Sequence, residues 1–129
     1  EDRLELEFNG FEVNDRDIEV VVAAVREHLA GRAVGTPKVE INVDMPDNTL
    51  SCTGIKQLME VIVELKDICF VRLLRLFKNS IGDVGAAAIA QLLQNMTPPP
   101  REVHLSHNQI TAVGASHILQ AVAARGESG

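Results

Sequence analysis

The amino-acid sequence predicts an α/β protein built from about four repeated units, each a short strand followed by a helix. Two observations favour this fold class. Segments 73–93 and 102–122 match position by position at one constant offset, and both pass from alternating to helical apolar spacing. In addition, 46% of the 129 residues are hydrophobic, but only four are aromatic, so the core must be aliphatic.

The repeat is clearest when "LLRLFKNSIGDVGAAAIAQLL" (73–93) is written above "EVHLSHNQITAVGASHILQAV" (102–122). Asn79 then meets Asn108, and Gly85 meets Gly114. The apolar positions agree as well: Leu74 with Val103, Leu76 with Leu105, Ile81 with Ile110, Ile89 with Ile118 and Leu93 with Val122. This agreement predicts two equivalent structural units.

Two earlier units follow the same pattern less closely. In the unit before Asn79, Asn48 takes the asparagine position, Gly54 the glycine position, and Val43 and Met45 the strand positions. In the unit before that one, Asn9 takes the asparagine position. That first unit has Leu4, Leu6 and Phe11 in apolar positions and Asp15 where glycine is expected. Terminal repeats are often atypical, so we interpret the first unit as a cap.

These matches divide the chain into one domain, 1–129, with units at about 1–35, 36–68, 69–98 and 99–125. The chain lacks an initiator methionine, which is compatible with a domain cut from a longer protein. Apolar residues at helical spacing predict helices over 18–29 and 54–67. "TPPP" at 97–100 is expected to end the third helix, because proline cannot continue it.

Each part of a unit has a physical role. The alternating "LxL" turns its apolar side chains to one side of a strand. The asparagine follows where the chain must turn, and its amide can both donate to and accept from backbone groups that the turn leaves unpaired. The glycine, at positions 54, 85 and 114, allows close packing or an unusual backbone angle where the helix begins.

The pattern resembles the leucine-rich repeat family, specifically its ribonuclease-inhibitor-like type, which runs L-x-x-L-x-L-x-x-N-x-L and then Gly and an Ala-rich helix. The matching residues are Val71, Leu74, Leu76, Asn79, Ile81, Gly85 and Ile89. In the second unit, Glu40 is polar where the leading leucine is expected, which predicts a bulged or shifted strand. The resemblance implies a short arc with a parallel sheet on its concave face and helices on its convex face. Most members of the family bind proteins, and very few are enzymes.

The residues between and just after the apolar strand positions are expected on the concave face. The predicted face is acidic in the first two units (Glu5, Glu7, Asp44, Asp47), basic with an aromatic in the third (Arg72, Arg75, Phe77, Lys78), and polar in the fourth (His104, Ser106, His107). Phe8 and Pro46 fall on the same predicted face. An exposed aromatic beside cations is typical of binding hot spots. The alternative is that opposite charges on adjacent strands pair with one another at small net gain.

Charge and composition exclude several partners. Residues 1–50 carry twelve acids and five bases, whereas residues 51–129 carry six acids and seven bases. This asymmetry argues against a nucleic-acid binder that uses its whole surface. No apolar run reaches the roughly 18 residues that a membrane helix needs. Two cysteines are too few for a disulfide framework, so we expect an intracellular, cytoplasmic protein.

No motif indicates catalysis or a cofactor. His104 and His107 are three residues apart and would point to opposite faces of a strand, and His117 would lie on a helix, so the sequence does not predict a metal site. Cys52 and Cys69 lack a nucleophile motif. "KNSIGDVG" lacks the phosphate-loop spacing. We therefore expect no enzyme, no metal and no cofactor.

The sequence thus predicts a non-catalytic module that binds a protein or peptide partner through its concave face. Two alternatives stay open. Family analogy allows a regulatory domain that acts on a small GTPase. An uncovered edge strand allows a self-associating scaffold, and hence a homo-oligomer.

Overall fold

Strands and helices alternate along the chain in the computed structural model, which describes residues 3–10 and 13–128. The eight elements are β1 (Arg3–Glu7), α1 (Asp15–Leu29), β2 (Val39–Asp44), α2 (Cys52–Glu64), β3 (Cys69–Arg75), α3 (Asp83–Asn95), β4 (Glu102–His104) and α4 (Ala112–Ser128). Each helix returns the chain to the start of the next strand, so one strand and one helix form each unit.

The four strands form one parallel sheet in the order β1-β2-β3-β4. Because parallel neighbours are joined by crossovers of one hand, all helices lie on the same side of the sheet. The helices pack in the same sequence, α1 on α2, α2 on α3 and α3 on α4. The α/β class and the short leucine-rich-repeat arc predicted from the sequence are thereby confirmed.

The core lies between the sheet and the helix layer, and it is aliphatic. Alternate strand residues such as Ile41, Val43 and Leu74 are fully buried. From the helices, Ile18 and Ile89 are also fully buried. Burying one such side chain stabilises the folded state by about 1.5–3 kcal/mol, so the repeated apolar positions account for the stack.

Helix ends differ from the predicted ones for local reasons. α1 begins three residues before Ile18, because Asn14 Oδ1 accepts the Asp17 N–H at 3.1 Å and Asp17 Oδ2 accepts the Asn14 N–H at 3.1 Å. α2 begins at Cys52 and ends at Glu64. The chain then tightens into turns in which Lys66 N–H bonds Val63 O, so the predicted end at residue 67 was wrong.

The first unit has a different register from the predicted one. Leu6 pairs with Val43 and Glu7 with Asp44, so Phe8 is level with Met45. The repeat alignment had placed Leu4 level with Val43 instead. The prediction was wrong because Leu4, Leu6 and Phe8 alternate, and such a pattern fits two registers that differ by one full period of the strand.

Two consequences follow from that register. Phe8 packs against the core, which corrects its predicted place on the concave face. Asn9 is exposed and does not occupy the asparagine position. Phe11, which the sequence predicted in an apolar position, lies outside the described residues.

The second strand is shifted, as its polar leading residue predicted. Ile41 pairs with Val71, but Asn42 pairs with Leu73, so the extra residue, Arg72, lies on β3. Glu40 points away from the core, which Val39 and Ile41 line on either side of it in the chain. The irregularity therefore preserves core positions on both strands.

The corrected register can be tested by comparing two neighbouring substitutions. We expect Phe8→Ala to lower the free energy of unfolding by about 2 kcal/mol, because half-buried contacts with the core are lost. Asn9→Ala should change it by less than about 0.5 kcal/mol. Urea denaturation of both variants measures this, and equal effects would contradict the register.

Candidate protein-binding site

Three asparagines fix the turns at the carboxyl ends of the strands. In each, Oδ1 accepts a backbone N–H from the preceding unit. The distances are 2.8 Å from Val13 N to Asn48, 3.1 Å from Leu50 N to Asn79 and 3.0 Å from Ile81 N to Asn108. Asn48 and Asn79 are buried, so each amide satisfies a donor that water cannot reach.

The amide nitrogens of the same residues donate to carbonyls on both sides of the turn. Asn79 Nδ2 donates to Leu76 O in its own unit at 3.0 Å and to Met45 O in the preceding unit at 3.0 Å. Asn108 repeats both contacts with Leu105 O and Leu76 O. We call Asn48, Asn79 and Asn108 the asparagine ladder. It ties each turn to the unit before it.

The residue before each ladder asparagine has a left-handed backbone. The φ angle is 59° at Asp47, 59° at Lys78 and 58° at His107, and Gly10 takes the equivalent position in the first unit with a φ of 70°. The side chains of Asp47, Lys78 and His107 are exposed, in the turns that follow the strands. Asp47, Lys78 and His107 therefore line the rim of the predicted face.

The glycine positions allow one helix to approach the next. A Cβ at Gly85 would lie 2.7 Å from Ile81 Cγ2 and 3.4 Å from the Cα of Cys52 in the preceding unit. Gly54 lies against Asp15 and Gly114 against Asp83 in the same way. The sequence allowed either close packing or an unusual backbone angle at these glycines, and the structure shows close packing.

Residues at the first turn of the helices reinforce this contact. Asp83 Oδ1 accepts the Thr111 N–H at 2.7 Å, and the Thr111 hydroxyl donates to Asp83 Oδ2 at 2.5 Å. These hydrogen bonds lower the pKa of Asp83. Asp15 makes the corresponding bonds with Ser51 in the first two units. Between the second and third units, Cys52 Sγ at the start of α2 accepts instead, from the Gly82 N–H of the third unit at 3.3 Å.

The face of the sheet opposite the helices carries a chain of polar contacts. Asn42 Nδ2 donates to Glu5 Oε1 at 3.2 Å and to Glu40 Oε2 at 3.1 Å. Arg3 lies 3.0 Å from Glu40, and Arg72 lies 3.7 Å from the same carboxylate. One amide and two carboxylates thus link the polar side chains of β1, β2 and β3.

A second set of contacts crosses β2, β3 and β4. Arg75 Nε donates to Glu102 Oε2 at 3.0 Å, and an Arg75 guanidinium nitrogen lies 3.8 Å from Asp44. The hydrogen bond to Glu102, with the attraction of its charge, raises the pKa of Arg75. His104 lies 3.6 Å from Glu102. The Phe77 ring packs on His104 with 5.9 Å between centroids.

The structure brings most of the predicted residues to one face. Strand residues Glu5, Glu7, Asp44, Arg72, Arg75 and His104 lie on the side opposite the core, and Phe77 and Ser106 follow β3 and β4. Pro46 is buried, so its prediction as a face residue was wrong. Arg75 and Asp44 form part of a charged network, as the alternative interpretation of the face proposed.

Sequence reasoning missed several residues of this face: Arg3, Glu40, Asn42, Phe70, Arg101 and Glu102. The signal was available for Glu40 and Glu102, because both flank an apolar strand residue in the alternating pattern. Arg72 and Arg101 depend on the bulge and on the connection before β4, which the repeat does not specify.

The candidates for chemistry occupy structural positions. Burial raises the pKa of Cys69 to about 11, which keeps its thiol protonated at neutral pH. Residues 3–10 and 13–128 contain no group of three or more His, Cys, Asp or Glu side chains arranged to hold a metal ion. None of the helices in this part of the chain combines the length and apolar character that crossing a membrane requires.

Comparison with known families supports the repeat. A family model described as Leucine Rich repeat matches residues 68–90 and 101–119, which contain β3, β4 and the first turns of α3 and α4. No curated protein has a significant match to the chain. Residues 68–90 and 101–119 therefore match leucine-rich repeats, of the kind typical of ribonuclease-inhibitor-like proteins. Such domains are generally protein-interaction modules and typically non-catalytic.

Removing one member of the asparagine ladder tests its role. We expect Asn79→Ala to lower the free energy of unfolding by about 3 kcal/mol, because Leu50 N–H and two buried carbonyls lose their partner. Asn95→Ala, in which a single bond to Gln91 O on the helix is lost, is the matched control and should cost less than about 1 kcal/mol. Denaturation midpoints of the two variants give the comparison. Similar losses would contradict a special role for the ladder.

Proposed function

We propose that the chain is a non-catalytic module that binds a protein or peptide partner through the concave face of its sheet. The observation that carries the proposal is a sheet with helices on one side only. Its other side presents half-exposed charged side chains, among them Glu5, Arg72, Arg75 and His104. A face of this kind offers a partner several strands at once.

The charges of the face support selective binding. Carboxylates dominate β1 and β2, and arginines are concentrated on β3. Their mutual contacts hold the side chains in place before a partner arrives, so less conformational entropy is lost on binding. A partner with the opposite order of charges would be favoured, and one with like charges would be repelled.

Phe77 is the aromatic residue at the carboxyl end of β3, between Leu76 and Lys78. It is half-buried against His104, which fixes the ring without removing it from solvent. Rigid aromatic side chains beside arginine are the composition of binding hot spots. We therefore place the centre of the proposed contact around Arg75 and Phe77.

A double substitution tests this choice of face. Arg75→Glu with Phe77→Ala should weaken binding at least one hundredfold, because it reverses one charge and removes the aromatic contact. Lys66→Glu, in the turn after α2, is the control with a comparable charge change away from the face. Affinity capture with quantitative mass spectrometry identifies the proteins that the wild type and the control retain and that the double variant loses.

Circular dichroism of the double variant must match that of the wild type for the comparison to concern binding. A partner whose titrated affinity is the same for the wild type and for the folded double variant would refute the proposed centre.

A second candidate function is self-association, favoured by the end of the stack. Leu74, Leu76, Ile81 and Ile89 are fully buried, but their equivalents in the last unit, Val103, Leu105, Ile110 and Ile118, are only partly buried. On α4, Leu119 is 68% exposed and Val122 54% exposed. β4 is also one of the two edge strands of the sheet that the described residues form, and an edge strand can pair with another strand.

Sedimentation velocity over a range of concentrations tests this second candidate. A dimer formed through the last unit should dissociate when Leu119→Lys and Val122→Lys place two charges in the contact. The control is Val20→Lys on α1, which is 72% exposed and lies at the other end of the stack. A monomer at all concentrations, or a dimer that is insensitive to both α4 changes, would exclude association through this end.

A further inference from the structure

A cleft lies on the concave side and extends from the start of β3, at Phe70, to its last residue, Arg75. It consists of two adjoining cavities that share Arg72 and Arg101 as lining residues. The first, of about 390 Å³, is lined also by Glu40, Phe70, Pro98 and Pro99. The second, of about 320 Å³, is lined also by Asn42, Leu73, Arg75 and Glu102. We call the two cavities together the Arg72–Arg101 cleft.

The backbone holds the two arginines side by side. Arg101 N–H donates to Arg72 O at 2.9 Å, so the residue before β4 sits beside the bulged residue of β3. Pro98, Pro99 and Pro100 precede Arg101 and restrict its approach to the sheet. The position of Arg101 is thus set by the chain and needs no side-chain bond.

Both guanidinium groups have donors to spare. Among residues 3–10 and 13–128, Arg101 forms no ion pair. The carboxylate paired with Arg72 is Glu40 at 3.7 Å, and Arg3 holds that carboxylate at 3.0 Å. By contrast, Arg75 is engaged by Glu102 at 3.0 Å. Arg72 and Arg101 are therefore the cations of the cleft that are available to an anionic ligand.

The cleft also has an apolar side. Phe70 is half-buried at the start of β3, and Pro98 and Pro99 are exposed beside it. These three side chains form a rigid apolar wall next to the two guanidinium groups. A ligand that uses the whole cleft must combine an apolar group with an anion.

Asn42 adds an unpaired acceptor at the second cavity. The residue is 7% exposed, and its Nδ2 is committed to Glu5 and Glu40, which fixes the orientation of the amide. Its Oδ1 has no donor among the described residues.

We propose that the Arg72–Arg101 cleft binds an acidic peptide segment of a protein partner, in which a carboxylate side chain neighbours an apolar one. The carboxylate contacts Arg72 and Arg101, and the apolar side chain packs on Phe70, Pro98 and Pro99. The proposal rests on the proposed function and names the chemistry of its partner. It also extends the proposed contact from Arg75 toward the start of β3, where Phe70 and Arg101 line the cleft.

Selection from a displayed library of random eight-residue peptides tests the cleft. We expect the wild type to enrich peptides with Asp or Glu next to Phe, Leu, Ile or Val. For a synthetic copy of an enriched peptide, Arg72→Gln with Arg101→Gln should reduce the affinity at least tenfold, as should replacing the peptide carboxylates by amides. The control is Lys66→Gln, which removes a cation from the turn after α2 and should change the affinity less than twofold.

The outcomes separate this proposal from the proposed function. Enrichment without acidic residues, enrichment of no peptide, or affinity unaffected by the Arg72 and Arg101 changes would overturn the cleft. If the affinity then falls for Arg75→Glu with Phe77→Ala, the concave face remains the binding site. If neither pair of substitutions lowers the affinity of an enriched peptide, binding occurs elsewhere and both proposals fail. Phe70→Ala should lower the affinity severalfold when the cleft is correct.

Discussion

The hydrogen bonds of the asparagine ladder are the constraint on which the rest of the structure depends. β2, β3 and β4 each end in a turn whose backbone groups need partners, and one asparagine amide supplies both a donor and an acceptor for them. The bonds reach back to the preceding unit, so they hold neighbouring strands level. The register of neighbouring strands determines which charged side chains meet on the concave face and where the turn residues with positive φ lie.

The charged residues of the concave face fall into two groups, according to whether a carboxylate holds them closely. Arg75 is bound by Glu102 and lies near Asp44, which orders it but also satisfies part of its charge. Arg72 shares Glu40, at 3.7 Å, with the closer Arg3 at 3.0 Å, and Arg101 has no ion pair within the described part of the chain. In the proposed function, selectivity comes from ordered ion pairs beside cations that lack a close partner. Exposed ion pairs contribute little to stability, so we assign them to recognition in that proposal.

The sequence predicted the fold well where the repeat has several independent markers. Asn79, Asn108, Gly85 and Gly114 fix the third and fourth units at one spacing, and the family match covers both. The first unit had alternation alone, which allows more than one register, and burial of Phe8 decides between them. The site was predicted in part, because Arg101 and the bulge at Arg72 depend on a connection and an irregularity that no repeat position encodes.

Because each ladder asparagine bonds only its own turn and the preceding unit, the number of units in such a chain can change. Asn108 bonds the third unit and its own turn, and nothing in that set of bonds requires a particular total number of units. The connection from β1 to β2 is longer than the one from β3 to β4, and the segments between strands absorb this difference while the turns stay alike. Duplication of a whole unit would therefore add one strand and widen the proposed binding face by about 4.8 Å. The existing units would keep their contacts.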